Sequence, residues 1–317
     1  MPGHDIVVVG ASAGGVEALG VLAGALPADL DAAVFVVLHI PANSASALPA
    51  ILSRRGPLPA THARHGEPIE AGRIYVAPPD HHLLVEDGAG HIELARGPRE
   101  NGHRPSVDLL FRSAAAAFGP RVVGVVLSGS MHDGVAGAAA IKRHGGTVLV
   151  QDPLDALATG MPEATIAHVA VDQVGPVPAL AATIQRLSRE PAADPGPALP
   201  HELAVETGTG DPSGFPCPDC GRELWEQRQA GVTRFRCRVG HAWSAEDLLG
   251  QEEERSVLAD RLRDAATARG HGLSAERSST RADTPSRRPS ASATFSAASP
   301  ARDRGARPTG RDRPNRM

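Results

Sequence analysis

The chain has 317 residues, 41% of them hydrophobic, with a formal net charge of −4 and three cysteines. That length holds one sizeable α/β domain plus something smaller, the mild acidity names no polyanionic partner, and no run approaches the ~18 consecutive apolar residues of a membrane span. The amino terminus, Met-Pro-Gly-His-Asp, lacks the basic and apolar regions of a secretory leader, so a cytoplasmic protein without membrane insertion is expected.

In chain order, Ile6 to Val9 predicts a buried strand that breaks at Gly10-Ala-Ser12-Ala-Gly14-Gly15 and gives way to a helix with Val16, Leu19 and Leu22 on one face. The turn reads Gly-x-Ser-x-Gly, a spacing that bends a chain sharply and presents a serine hydroxyl above a sheet, so Ser12 is a candidate nucleophile. The same turn also fits a phosphate-binding loop, although the Gly-x-Gly-x-x-Gly pattern has serine at its middle glycine here, or a plain structural turn. Ala33 to Leu38 is a second buried run ending at His39-Ile-Pro41. In an open parallel sheet the carboxyl ends of the strands face the site, which puts His39 beside Ser12 if these strands are neighbours.

Residues 44–56 read as a helix, Arg73 to Ala77 as a strand stopped by Pro78-Pro79, and the segments 82–86 and 91–95 as an antiparallel hairpin. Pro105, Ser106 and Asp108 stand where a helix would start. Arg121 to Leu127 is a strongly apolar strand running into Ser128-Gly-Ser-Met-His-Asp133-Gly134, and an aspartate there also fits a simple cap for the next helix, 135–144. Thr147 to Val150 and the helix start at Gly160-Met-Pro162 continue the alternation. The fold class expected is α/β: a doubly wound, mainly parallel sheet flanked by helices, with a small C-terminal zinc-binding unit and a disordered tail.

Periodicity fades over 189–213, a linker between the 1–188 domain and a unit at 214–244. There Cys217-x-x-Cys220, sixteen further residues and Cys237-x-x-x-His241 offer four ligands for a tetrahedral structural zinc. Some thirty residues bury too little surface to fold without one. Five arginines against three acids over 214–245 support nucleic-acid binding only weakly. Residues 245–269 read as an amphipathic helix. The segment 270–317 carries a local charge of +6, is rich in Ser, Arg, Pro and Ala, and reads as a disordered basic tail.

Ser12, His39 and Asp133 are therefore three strand-end residues of the types a nucleophile, its base and an orienting carboxylate require, in the chain order Ser, His, Asp rather than the Ser, Asp, His of α/β-hydrolases. Over residues 4–188 the chain resembles the catalytic domain of CheB-type chemotaxis protein-glutamate methylesterases. The resemblance rests on Val9-Gly-Ala-Ser-Ala-Gly-Gly15, Leu38-His-Ile-Pro41, Tyr75-Val-Ala-Pro-Pro-Asp-His-His82, Asn101-Gly-His-Arg-Pro-Ser-Val-Asp108, Ser128-Gly-Ser-Met-His-Asp-Gly134 and Gly160-Met-Pro-Glu-Ala164.

The resemblance implies hydrolysis of glutamate γ-methyl esters on chemoreceptors or receptor-like proteins, often with glutamine deamidation, needing no catalytic cofactor and using Ser12, His39 and Asp133. The family's usual Gly-Met-Gly-x-Asp-Gly stands here as Gly129-Ser-Met-His-Asp-Gly134. No receiver-like pattern precedes Ser12, so an open cleft is expected, with control by a regulatory protein bound through the zinc unit or the 245–269 helix. Removing that unit is expected to leave turnover of a small substrate unchanged. The rival reading is a non-catalytic signalling adaptor that uses the cleft and the zinc unit to bind partners.

Overall fold

Strand β1 (Ile6–Ala11) is apolar at every position because both its faces are covered: Val7, Val9 and Ala11 enter one core, Ile6 and Val8 the other. The computed structural model describes residues 3–85, 90–194, 210–229, 232–251 and 253. After β1 come α1 (Gly15–Ala25), β2 (Ala33–Leu38), α2 (Leu48–Arg55), β3 (Ala60–His62), β4 (Ile74–Val76), β5 (His82–Val85) and β6 (Ile92–Ala95). The domain continues with α3 (Val107–Phe118), β7 (Val122–Val126), α4 (Val135–Arg143), β8 (Thr147–Gln151), α5 (Gly160–His168), β9 (Gln173–Gly175) and α6 (Val177–Ser188).

Seven of these strands form a sheet in the order β3-β4-β2-β1-β7-β8-β9, with every neighbouring pair parallel. Leu19 and Leu22 of α1, Leu52 of α2 and Ile184 of α6 fill the core on one face; Phe111 of α3, Ile141 of α4 and Met161 of α5 fill the other. The doubly wound architecture expected from the alternation is thus observed, as is the antiparallel β5–β6 hairpin. The chain leaves β1 towards β2 and later returns to β7 on the other side, so the sheet's topological switch lies at β1, where open α/β sheets have their crevice.

A second, antiparallel sheet is built from β10 (Asp211–Pro216), β11 (Glu223–Gln229), β12 (Val232–Cys237) and β13 (Ala242–Ser244), and residues 245–251 are helical. Its core is small: Cys217, Leu224, Phe235, Cys237, Trp243 and Leu248. It is seated on the first domain, where Asn101 N–H donates to the Ala242 carbonyl at 2.7 Å and Ala242 N–H to the Arg99 carbonyl at 3.2 Å. The expected basic tail, most of the 189–213 linker and the helix beyond 253 lie outside the described residues. Among the described residues no helix is long and apolar enough to cross a membrane.

Gly10 is where α3 comes closest to the sheet, because a Cβ there would lie 2.3 Å from Val107 Cγ1. Gly10→Ala should therefore push the start of α3 off the sheet and cost about 1–3 kcal/mol, checked by urea unfolding.

Candidate active site and metal cluster

Three loops at the carboxyl ends of adjacent strands meet above the sheet: Ser12 follows β1, His39 follows β2 and Asp133 follows β7. Ser12 N–H donates to the Ser128 carbonyl at 2.9 Å and His39 N–H to the Ala11 carbonyl at 3.1 Å, so both loops are tied to the sheet before their side chains leave it. Ser12 and His39 line one cleft of about 370 Å³ together with Arg99, His103 and Arg104. His39 Nε2–H donates to Asp133 Oδ2 at 2.8 Å. Its Nδ1 is buried without a hydrogen-bond partner, so no hydrogen bond yet joins it to Ser12. His103 stacks on the His39 ring with centroids 3.7 Å apart. Burial first, and then the charge of His39, lowers the His103 imidazole to about 4, so the stacked ring is neutral near pH 7.

Asp133 is buried and saturated with donors. Besides His39 it accepts from Ser106 Oγ at 2.9 Å, Val107 N–H at 2.7 Å, Asp108 N–H at 3.2 Å and Asn101 Nδ2 at 3.2 Å. Burial pushes its carboxyl up, but the hydrogen bond and charge of His39, the charge of His103 and the Val107 N–H outweigh that and hold it far below the ordinary range. Two of these donors are the first N–H groups of α3, so the carboxylate also sits on the positive end of that helix. Asp133 therefore does not cap the helix that follows it, as a local reading suggests. That task falls to Asp108, whose Oδ1 accepts from Gly134 N–H at 3.0 Å and Gly137 N–H at 2.8 Å of α4. Ser106 and Asp108 do start a helix as expected, yet both side chains reach across to the neighbouring one.

Gly134 has φ 107° at the start of α4, a conformation open to glycine. Met131 has φ 69°, and it stands where the family's usual pattern has its second glycine. A non-glycine side chain in that left-handed backbone carries a strain of about 1–2 kcal/mol.

Behind Asp133 lies a charged cluster contributed by both sheets. Arg112 of α3 donates through Nη2 to both Glu100 oxygens at 2.8 Å, Arg236 of β12 donates to Glu100 at 3.0 Å, and Arg234 of β12 reaches Glu100 at 3.2 Å and pairs with Asp108. Burial raises the Glu100 carboxyl, but Arg112, Arg234 and Arg236 overcome this and hold it far below its usual range. Ser244 N–H donates to Asn101 Oδ1 at 2.9 Å, and Asp247 accepts from the N–H and Nδ1 of His132, each at 3.1 Å. No sequence signal marked Arg234, Arg236 or Asp247. Two of the five arginines counted towards nucleic-acid binding are thus consumed in internal ion pairs.

Cys217, Cys220, Cys237 and His241 offer ligand atoms all within 4.8 Å of one another. Cys217 Sγ lies 3.7 Å and Cys237 Sγ 3.5 Å from His241 Nδ1, and the Cys220 and Cys237 sulfurs are 3.7 Å apart. A tetrahedron with Zn–S of about 2.3 Å and Zn–N of about 2.0–2.1 Å has edges of about 3.5–3.8 Å, so the four residues fit a zinc ion. Burial pushes the Cys217 thiol up to about 12, against backbone N–H groups of Cys220 and Asp219 aimed at its sulfur. Those donors suit the thiolate that a metal would hold there.

A parallel, doubly wound sheet with serine, histidine and aspartate gathered at its carboxyl edge defines the class: an α/β protein with the side-chain constellation of a serine hydrolase. The chain belongs to the CheB methylesterase family, whose model matches residues 7–184. It is 41% identical over 201 residues to a protein-glutamate methylesterase/protein-glutamine glutaminase of Nocardioides, covering 62% of this chain and 55% of that one. It is 37% identical over 192 residues to a protein of the same name, numbered 2, from Methanosarcina mazei, covering 59% and 52%. The chain thus spans about half the length of these curated relatives. The crystal structure of the Thermotoga maritima CheB methylesterase catalytic domain matches with a TM-score of 0.56 and 31% identity, covering 58% of this chain and 98% of that domain.

Glu100 and Asp133 are both depressed, so each contributes stability that is complete above the ordinary carboxylate range near pH 4 and is lost as pH falls towards its native value. Glu100→Gln, which leaves buried guanidiniums unpaired, should cost about 3–5 kcal/mol at pH 7 and flatten the loss of stability below about pH 4, read from denaturant midpoints against pH.

Proposed function

We propose that this chain is a cytoplasmic serine esterase that hydrolyses glutamate γ-methyl esters, and deamidates glutamine, on chemoreceptors or receptor-like proteins. The observation that supports it most is the state of His39: one ring nitrogen is fixed by a buried carboxylate and the other is unpartnered in the cleft that also holds Ser12. In this reading Nδ1 takes the Ser12 proton as Oγ attacks the ester carbonyl, and Asp133 stabilises the resulting imidazolium. In the same reading the N–H groups of Ala13 and Gly14, just before α1, form the site for the developing oxyanion. The imidazolium then protonates the departing methoxide to methanol, or the amide nitrogen to ammonia. Water activated by the same nitrogen hydrolyses the glutamyl ester of Ser12. Arg99 and Arg104 also line the cleft, Arg104 already paired with Asp80 at 2.5 Å and Arg99 lying 3.8 Å from Asp219.

Ser12→Ala should lower turnover by a factor on the order of 10⁶ with folding intact, because members of such a triad act as a unit. Asp133→Asn should lower it by ~10⁴. Methanol release from methylated receptor is the assay. Near-normal turnover by the Ser12 variant would exclude the mechanism, and no methanol release by the parent protein from several methylated receptors would favour the adaptor reading.

The fit of the Cys217, Cys220, Cys237 and His241 donors supports a structural zinc in the C-terminal unit, with no cofactor needed for the hydrolysis itself. Elemental analysis of protein purified without chelator should find about one zinc per chain. Cys237→Ser should lose it and loosen β12 and β13 in hydrogen exchange.

A further inference from the structure

Three buried carboxylates, Glu100, Asp108 and Asp133, share one hydrogen-bonded cluster behind the cleft. Asn101 Nδ2 lies between the last two, 3.2 Å from Asp133 Oδ1 and 3.4 Å from Asp108 Oδ2. Like charges this close, out of water, cannot all stay ionised without cations beside them. Among the described residues the first domain supplies one guanidinium to them, Arg112, and that one is spent on Glu100. The cation on Asp108 is Arg234 of β12, itself 2% exposed.

The other contacts across this seam point to the same place. Ser244 N–H turns the Asn101 amide so that its NH₂ faces Asp133, and Asp247 holds the backbone of His132, the residue before Asp133. The Trp243 ring lies against Gly102, where a Cβ would come 3.0 Å from it, and Gly102 and His103 line the cleft. Arg234 and Arg236 sit three residues and one residue before Cys237, so the strand that presents them ends in a residue of the candidate metal cluster.

Resting on the reading of Ser12, His39 and Asp133 as the catalytic set, we propose that Arg234 is a positioning residue for the Asp133–His39 pair, so that the metal-held C-terminal unit is a working part of the active site. Burial raises the Asp108 carboxyl and the Arg234 guanidinium opposes that, while among the described residues both carboxylate oxygens meet only N–H donors, the environment of an ionised group. Ionised Asp108 caps α4 and leaves Asp133 free to accept from α3 and His39. This reverses the expectation that the unit can be removed without consequence for turnover. Without Arg234 a proton enters the Asp108–Asp133 pair, and the acceptor that orients His39 is weakened.

The test uses the full-length, metal-loaded protein with Arg234→Met, which keeps the side-chain length but not the charge, Arg234→Lys, which keeps the charge, and Arg238→Met on the exposed side of the unit as a control. Three quantities are read: kcat and KM against pH on a short peptide carrying a glutamyl γ-methyl ester, bound zinc, and the exchange-protected Nε2–H proton of His39 by NMR. Arg234→Met should lower kcat 10- to 100-fold with KM and zinc unchanged, move the acid limb of the kcat profile to higher pH, and lose or broaden the His39 proton. Arg234→Lys should recover most of kcat, and Arg238→Met should match the parent. Stripping zinc with a chelator should remove the His39 proton and the activity together, and added Zn²⁺ should restore both, a measurement that stands even if Arg234→Met fails to fold.

An unchanged His39 proton and kcat in Arg234→Met, equal damage by Lys and Met, or full activity after complete metal removal would each overturn the proposal. If the parent cleaves no ester but Arg234→Met still loses the His39 proton, the esterase reading fails and the positioning role stands.

Discussion

Two aspartates exchange helices in this protein, and the active site depends on that exchange. Asp133 follows β7 but accepts from the first N–H groups of α3, while Asp108, in the first turn of α3, accepts from Gly134 N–H just before α4 and Gly137 N–H in its first turn. Each buried carboxylate gains the hydrogen bonds and the dipole of a helix end, which is what an ionised group needs away from water. Asp133 is thereby fixed as an anion before His39 meets it, and the imidazole is oriented by a group that has no freedom to move. Gly10 belongs to the same constraint, since α3 reaches this position only because β1 carries no side chain opposite Val107.

The parallel sheet supplies the geometry that the exchange exploits. Neighbouring strands β2, β1 and β7 deliver their carboxyl ends to one edge, so residues far apart in the chain arrive together without any loop having to span the site. The loops can then be short and strongly tied, as the Ser12 and His39 N–H bonds to Ser128 and Ala11 are. Met131 shows how tightly the loop is constrained: its backbone is left-handed even with a side chain that does not favour it.

The C-terminal sheet has a core too small to stand by itself, and it gains stability from two further sources, a ligand set matched to a tetrahedral metal and a buried ionic seam with the first domain. Buried ion pairs stabilise weakly compared with apolar packing, but breaking one side of them is costly, so such a seam fixes relative position more than it adds net stability. That places the unit close behind Asp133.

The sequence alone determined the elements and the edge. Short apolar runs at 6–9, 33–38 and 122–127, rich in valine and bounded by turn residues, read as strands covered on both faces, and the punctuation after each put Ser12, His39 and Asp133 at strand ends. The Cys-x-x-Cys and Cys-x-x-x-His spacings likewise announced the cluster of four candidate ligands that the fold brings together, because ligand geometry is local. What the tertiary structure decided is the use of polar residues whose partners are distant in the chain. Ser106, Asp108 and Asp133 each look like caps for their own helices, since local spacing cannot show that two helix ends face one another. Asn101 opens a segment shared with the family but without a role legible in it, and Arg234 and Asp247 carry no pattern at all. An arginine in an alternating strand reads as solvent-facing, and only the docking of one sheet on another domain turns Arg234 into a buried cation, because burial is a property of what lies opposite and not of the strand that bears it.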